Sequence, residues 1–477
     1  MKIFKSRYLR FVLQLITVAA LMASCSKNFI ERLPEDAVST SEAITDKSSM
    51  QSALNGAYAE LRALGLYGAD LPIIGDLLAD NSFVQTGNTG RFLTIYQYTF
   101  ISDDSYYSAI WNNAYTAILR ANNIINASPS GDQAAIDELK SQAYAIRALV
   151  YFKLINIYAR NYEDTSGLGV PIVLEDNPAN KPKRSSIGQV YSQIESDLQA
   201  ALSNIGDYTS SITISKYAVE ALLAKTYFYS RQYDKALTTA KDVIDNSGFT
   251  LTSSSSAYAS FWANAAAKTD KVEVLFEVDA DATNNNGSSD LARLYNNGYN
   301  DIYCDSTFYR SFSETDERRT LLLEGTTKVG KSAYVVNKYP NGGNTDRDNI
   351  KVIRLAEVYL IASESAARLE QNSVALDYLN TLARNRDQSL TAYSLSGQPL
   401  IDTIIDERRK ELAFEGDRIF DLNRLGLTVV RKINQGGLSV TSSYLSVAYA
   451  DFRRIAPIPY TEIKANSNLA DEQNPSY

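Results

Sequence analysis

Apolar residues recur at helical spacing through most of this chain, so the pattern predicts a mainly α-helical protein. Ser41 to Leu64 forms one amphipathic segment. Trp111–Ala127 forms another, with Ile110, Ala114, Ala117, Ile118, Ala121 and Ile125 along one face. Ala134–Tyr158 is a third and ends before Gly167, Gly169 and Pro171; Gln189–Ile205 follows a Lys-Pro-Lys-Arg linker at 181–184. Two later segments look alike, Ala218–Ile244 and Leu355–Leu382. Each has a helix with small residues on its packing face, a short polar turn, and a second helix that opens on Ala-Leu (Ala236-Leu237 and Ala375-Leu376). Alanine at such a contact lets two helices approach, and Tyr227, Tyr229 and Tyr359 are placed to fill the neighbouring grooves. This is the grammar of tetratricopeptide-like helical hairpins, which stack to bury a continuous core.

Between these hairpins the pattern breaks. Residues 250–350 are rich in Ser, Asn, Gly, Asp and Tyr, with strand-like fragments only at Val272–Val278 and Tyr334–Tyr339. Asn284-Asn285-Asn286-Gly287 and Asn341-Gly342-Gly343 are turn sequences. A second such region, Gly65–Asp104, holds Gly-Asn-Thr-Gly at 87–90 and a group of tyrosines. Loop-rich insertions on a helical scaffold are where binding chemistry tends to sit. The expected organisation is a leader over 1–24 and one domain over 25–477, with loop-rich insertions near 65–104 and 250–350.

The leader changes the picture. Lys2, Lys5, Arg7 and Arg10 precede an apolar run from Phe11 to about Ala23, and Ala23-Ser24 lead into Cys25. A basic start, a short apolar run and a small-residue cleavage site describe a secretory signal, not a spanning helix. A cysteine directly after the cut is what a bacterial lipoprotein needs, with Met22 where leucine is more usual. Two or more acyl chains on Cys25 would hold stably to a membrane, where one would not. The body is then a water-soluble domain hung from a lipid.

Charge and composition narrow the function classes. The chain carries 47 Lys and Arg against 55 Asp and Glu, so losing the four leader cations takes the net charge from −8 to −12. That balance argues against nucleic acid as a partner. Histidine is absent, which removes Ser-His-Asp and Cys-His machinery and the commonest zinc sites. With Cys25 lipidated, Cys304 has no disulfide partner. The Asp/Asn-rich stretch 279–301 fits no EF-hand spacing and reads as solvated loop. No metal is expected, and no cofactor beyond the lipid on Cys25.

Paired carboxylates raise one enzymatic possibility. Glu407, Glu411 and Glu415 lie four apart on one helix within Asp402–Arg418, and a glycoside hydrolase needs two carboxylates across a cleft. Arg408, Arg409, Lys410 and Arg418 crowd the same segment and would hold those carboxylates ionised, the reverse of what a general acid requires. The segment is read as a structural ion-pair network, and Arg354 with Glu357 is read the same way.

Several fragments resemble one known family in the order in which they fall. They are Phe29-Ile30-Glu31 and Pro34; Asn55-Gly56-Ala57-Tyr58; Trp111 with Ala121-Asn122; Arg147-Ala148 through Tyr151-Phe152 and Tyr158; and Gly169-Val170-Pro171. Then come Ala221–Tyr227, Ile353–Leu360, Glu407–Leu412, Glu415–Arg418 with Asp421-Leu422, and the close Pro457-Ile458-Pro459, Glu462-Ile463 and Gln473–Tyr477. On these the chain resembles the SusD/RagB family of outer-membrane nutrient-binding lipoproteins of Bacteroidetes. The resemblance implies a SusD-like α-α superhelix and a non-catalytic lipoprotein of the outer membrane, facing outward. It would bind an oligo- or polysaccharide and serve as lid to a SusC-like, TonB-dependent transporter. A peptide ligand is the alternative, and a lipid-anchored glycoside hydrolase a more distant one.

A sugar stacks its apolar face on an aromatic ring while its hydroxyls bond to amides, carboxylates and guanidinium groups. Tyrosine is abundant, 32 against 16 Phe and 2 Trp, and its ring suits partly wet contacts. The candidate ligand residues are therefore the loop tyrosines Tyr96, Tyr98, Tyr295, Tyr299 and Tyr303, with the polar Asp80, Asn81 and Arg91 nearby. Asn296, Asn297 and Asn300 are their sequence companions. Trp111 is expected in the core; Trp262 could serve either role.

Overall fold

The computed structural model describes residues 43–177, 179–252, 255–440 and 444–477. The leader, Cys25 and the Phe29–Pro34 motif lie outside these residues.

The chain enters through α1 (Lys47–Leu61), started by a capping box in which the Asp46 carboxylate takes the Ser49 N–H while the Ser49 hydroxyl takes the Asp46 N–H. A short π turn at Leu64–Gly68 leads into α2 (Asp70–Leu77), and β1 (Ser82–Val84) follows. Next come α3 (Ser105–Asn126), α4 (Gln133–Tyr158) and α5 (Ile187–Leu202), capped in turn by Asp104, Asp132 and Ser186. The first hairpin is α6 (Lys216–Tyr229) and α7 (Tyr233–Asn246). Residues 247–349 carry β2 (Val274–Val278), β3 (Ile302–Cys304), β4 (Leu322–Thr326) and β5 (Ser332–Val336), and β6 (Ile350–Arg354) runs straight into the second hairpin, α8 (Leu355–Arg368) and α9 (Asn372–Arg386). Then come α10 (Gln398–Glu411) and α11 (Arg418–Arg424).

The helices stack in chain order, α3 on α4, α4 on α5, α5 on α6, α6 on α7, and α8 on α9. The two look-alike hairpins join directly, because α7 packs on α8 across the whole insertion. Ala236 and Ala375, the alanines picked out at the helix starts, are fully buried. The insertion is closed at its base by β2 pairing antiparallel with β6. Above that, β1, β3, β5 and β4 form a four-stranded sheet in that order. One apolar core runs from Ile44 to Ile458, and a second lies among α8, α9 and α10 around Leu360, Leu379 and Ile404.

The loop-rich region 65–104 also holds α2, buried along its full length, and the sheet strand β1. Two expectations about elements are amended. The expected helix over Asp402–Arg418 stops at Glu411 and resumes at Arg418. Phe414 (φ 65°) and Gly416 (φ +86°) turn left-handed between them, and a Cβ on Gly75 would sit 1.9 Å from the Gly416 carbonyl oxygen. Two backbones meet there at glycine distance. Arg354 and Glu357 do not pair with each other. Arg354 binds Glu273, Glu411 and Glu415, and Glu357 binds Lys225 and Arg408.

Among the described residues, no helix is long and apolar enough to cross a membrane.

Candidate functional site

Most of the tyrosines singled out in sequence are core residues. Tyr98 is 1 % exposed and donates its hydroxyl to the Leu78 carbonyl. Tyr96 lies beside it, with the Arg431 guanidinium over both rings at 4.9 and 4.8 Å. Tyr295 packs between Tyr339 and Phe414. Tyr303 stacks on Phe83 and donates to the Thr326 carbonyl at 3.3 Å. An amphipathic ring buries well when a main-chain carbonyl takes its hydroxyl, as for Tyr98 and Tyr303, and all four rings are buried. Asp80 and Asn81 are also engaged. Asp80 accepts from Arg418 Nε at 2.8 Å and faces Arg409 at 3.2 Å; Asn81 bonds Asp76 and Arg409. Burial pushes the Asp80 carboxyl up, but Arg418 and Arg409 outweigh it and hold it below its usual range. Trp111 and Trp262 are both core, at 2 % and 1 % exposure.

Arg91 and Tyr299 are the candidates that the fold brings together at the surface. The Arg91 guanidinium lies over the Tyr299 ring at 3.5 Å from its centroid, and both residues are half-buried. The loop after β1 and the loop before β3 build this ledge, and β1 and β3 are neighbours in the sheet. Asp301, fully buried, is the pin. It accepts the Thr89 N–H at 3.1 Å, the Thr89 hydroxyl, and Lys328 Nζ at 3.2 Å. Gln85 ties the same loops by donating to the Asn300 carbonyl and accepting the Lys328 N–H at 2.8 Å. Thr89 in turn accepts Arg91 Nη1 at 2.8 Å, which fixes the guanidinium over the ring. Left-handed Asn297 (φ 55°) and Asn300 (φ 46°) bend the partner loop so that Tyr299 rises between them. Asn296 bonds the Asn337 side chain at 2.7 Å.

This arrangement suits neutral polar ligands. The Arg91 guanidinium lies on the Tyr299 ring, and the hydroxyl, amide and ammonium groups of the adjoining loops are each held by a partner. Sequence reading missed Asp301, Lys328 and Asn337, and noticed Thr89 only as part of the Gly-Asn-Thr-Gly turn.

The carboxylates of α10 are elsewhere and are ion-paired. Glu411 is fully buried, 2.8 Å from Arg354, 3.1 Å from Arg386 and 3.6 Å from Arg318. Burial raises its carboxyl, and the three guanidiniums override that, leaving it well below its ordinary value. Glu407 and Glu415 are held low in the same way by Arg318 with Lys410, and by Arg354 with Lys338. Such groups are poor proton donors near neutral pH. Among the described residues, no group of His, Cys, Asp or Glu is arranged to hold a metal.

Comparison with known proteins agrees with this fold. The SusD family profile matches residues 258–477, and a profile described as starch-binding, associating with outer membrane, matches residues 28–228. A Bacteroides vulgatus ATCC 8482 structure given a sugar-binding name superposes with TM-score 0.82 at 30% identity, covering 91% of this chain and 99% of that one. A SusD superfamily structure from Bacteroides thetaiotaomicron superposes with TM-score 0.82 at 29% identity, covering 90% and 100%. The SusD-like protein P2 of Formosa agariphila is 27% identical over 98% of this chain and 100% of its own length. With matching profiles over both halves, a relative at 30% identity along nearly its whole length and a shared mainly helical fold, this chain belongs to the SusD/RagB family.

Proposed function

We propose that this protein captures an oligo- or polysaccharide at the Arg91–Tyr299 ledge and passes it, uncleaved, to a SusC-like TonB-dependent transporter, for which it acts as lid. Cys25 carries the lipid that keeps it at the outer membrane. The observation that carries the reading is the guanidinium-on-tyrosine stack, in which the Thr89 hydroxyl holds Arg91 in place, with asparagines on the adjoining loop. Sugar hydroxyls take hydrogen bonds from that set, while the ring edge and the guanidinium plane cover an apolar sugar face. The starch-binding description of the matched family supports the ligand class. The surroundings of the ledge suit a partner surface. Val329, 47 % exposed, sits on the β4–β5 turn against Gly87, and Ile433, 86 % exposed, lies three residues before Gly436, whose carbonyl accepts the Thr86 N–H.

Calorimetry on the mature chain with a panel of oligosaccharides and short peptides, with product analysis of each mixture, tests the proposal. One glycan class should bind uncleaved. Tyr299→Ala should weaken that binding by about 1 kcal/mol or more, roughly fivefold, and leave the melting temperature nearly unchanged. Binding of peptides alone, or any cleavage, overturns the glycan-capture reading.

A further inference from the structure

The ledge sits where four segments meet: 85–91, 293–301, 326–333 and 430–440. Hydrogen bonds join them. The Gln85 N–H donates to the Asp301 carbonyl at 3.0 Å, and the Thr86 N–H to the Gly436 carbonyl at 3.0 Å. The Lys328 N–H reaches the Gln85 side chain at 2.8 Å, which brings the β4–β5 turn onto the same surface. Their charges are one-sided. Together the four segments hold six cations, Arg91, Arg293, Lys328, Lys331, Arg431 and Lys432, against one acid, Asp301. The chain as a whole has the opposite balance, 47 Lys and Arg to 55 Asp and Glu.

Most of that positive charge is uncompensated. Asp301 is fully buried, and Lys328 pairs with it at 3.2 Å. Arg431 is buried as well, bonded to the Leu77, Ala79 and Tyr96 carbonyls. Arg91 and Arg293 are half-buried, and Lys331 and Lys432 are exposed. Among the described residues, none of these four forms an ion pair with a carboxylate. The acids flanking 293–301 are engaged: Asp290 pairs with Arg347 at 3.2 Å, and buried Asp305 caps Thr307 and accepts the Asn434 amide. Neutral groups place the two arginines instead. The Thr89 hydroxyl accepts from Arg91 at 2.8 Å, and the Asn297 carbonyl accepts from Arg293 at 2.7 Å. A guanidinium has five N–H donors, so both keep a free fork for a two-oxygen anion.

The hydroxyl and amide groups of these loops serve the neutral part of a sugar, which has no need of the charge around them. Like charges gathered on one surface repel, and an anionic ligand relieves that repulsion. We infer that the glycan taken at the ledge is acidic, bearing carboxylate or sulfate groups, and that Arg91 receives one of them beside the Tyr299 ring. This rests on the capture role proposed above and names the ligand class for it. Arg293, Lys331 and Lys432 draw the polyanion to the ledge through their field, and the rest of the chain, net negative, keeps it on this face.

Calorimetry on the mature chain tests it, with uronic-acid and sulfated oligosaccharides each run beside its neutral counterpart (the methyl ester or the desulfated form). One acidic glycan should bind about tenfold tighter than its neutral counterpart at low salt, and an ionic strength of about 0.5 M should remove most of the difference. Which of the two acidic kinds binds separates carboxylate from sulfate. Lys331→Glu, at an exposed position, should weaken the acidic glycan about fivefold at low salt while the neutral counterpart and the melting temperature stay unchanged. Arg91→Gln should weaken the acidic glycan further than Lys331→Glu does. Equal affinity for acidic and neutral forms, or no effect of Lys331→Glu, overturns the inference and leaves glycan capture standing. Binding of acidic peptides or of vesicles of anionic lipid, in place of any glycan, overturns both.

Discussion

Glu411 shows how a single side chain can hold together segments remote in sequence. It bonds Arg354 at the start of α8 and Arg386 at the end of α9, and both arginines also bind Glu273 at the entry to β2. Removing its charge leaves buried guanidiniums short of a partner, which typically destabilises by about 3–5 kcal/mol. Glu411→Gln is therefore expected to lower the denaturant midpoint strongly while the folded fraction binds ligand with unaltered affinity; unchanged stability would show that the network is redundant. The Glu411 carboxyl is held below its ordinary 4.5, so its contribution is present above that pH and is lost as pH falls toward its folded value. Asp70 has the opposite sign. Burial, with Asp104 close by, pushes its carboxyl from 3.8 up to about 7. The folded state then holds a proton that the unfolded chain has released, and stability declines as pH rises from about 4 to 7. Asp70→Asn should remove part of that decline, visible as a smaller gap between melting temperatures at pH 5 and pH 8.

At the scale of elements, the periodic pattern found the helices, and the close contacts between backbones decided where they stop. Apolar spacing marked the ends of α3 and α4 and the start of α4 closely because amphipathic faces are written locally, but it opened α3 at Trp111 where the helix begins at Ser105. It carried α10 past Glu411 because Arg-Arg-Lys-Glu is good helical sequence, whereas the chain turns at Phe414 and Gly416 to meet Gly75. Gly75→Ala puts a methyl group into the Gly416 backbone and should destabilise by about 3 kcal/mol, measured by equilibrium unfolding, since neither backbone can yield without moving α2 or α11. A milder loss is expected from Ala375→Leu, at the fully buried start of α9 where the Ser363 hydroxyl reaches the Ala375 carbonyl at 2.8 Å. That overpacking should cost about 1–3 kcal/mol and leave ligand binding untouched.

At the scale of the whole molecule, a helical stack supplies rigidity and the inserted sheet supplies a surface. The insertion leaves the stack after α7 and returns through β6, so α7 and α8 pack as though continuous while about a hundred residues project from their junction. The ledge is pinned to this sheet, and ligand capture should therefore need little rearrangement of the backbone. Sequence by itself determined the helical class, the two hairpins, the ion-paired reading of the α10 carboxylates and the family resemblance. All of these rest on patterns within a few turns of chain or on residue order. It did not determine which tyrosines face a ligand. Tyr299 and Tyr303 share one polar stretch, yet one rises under Arg91 and the other is sealed against Phe83. That outcome was decided by tertiary structure, because a ring's exposure depends on what distant segments lay over it. Here Asp301, Thr89 and Lys328 lock three loops into one surface, and no local pattern encodes that meeting.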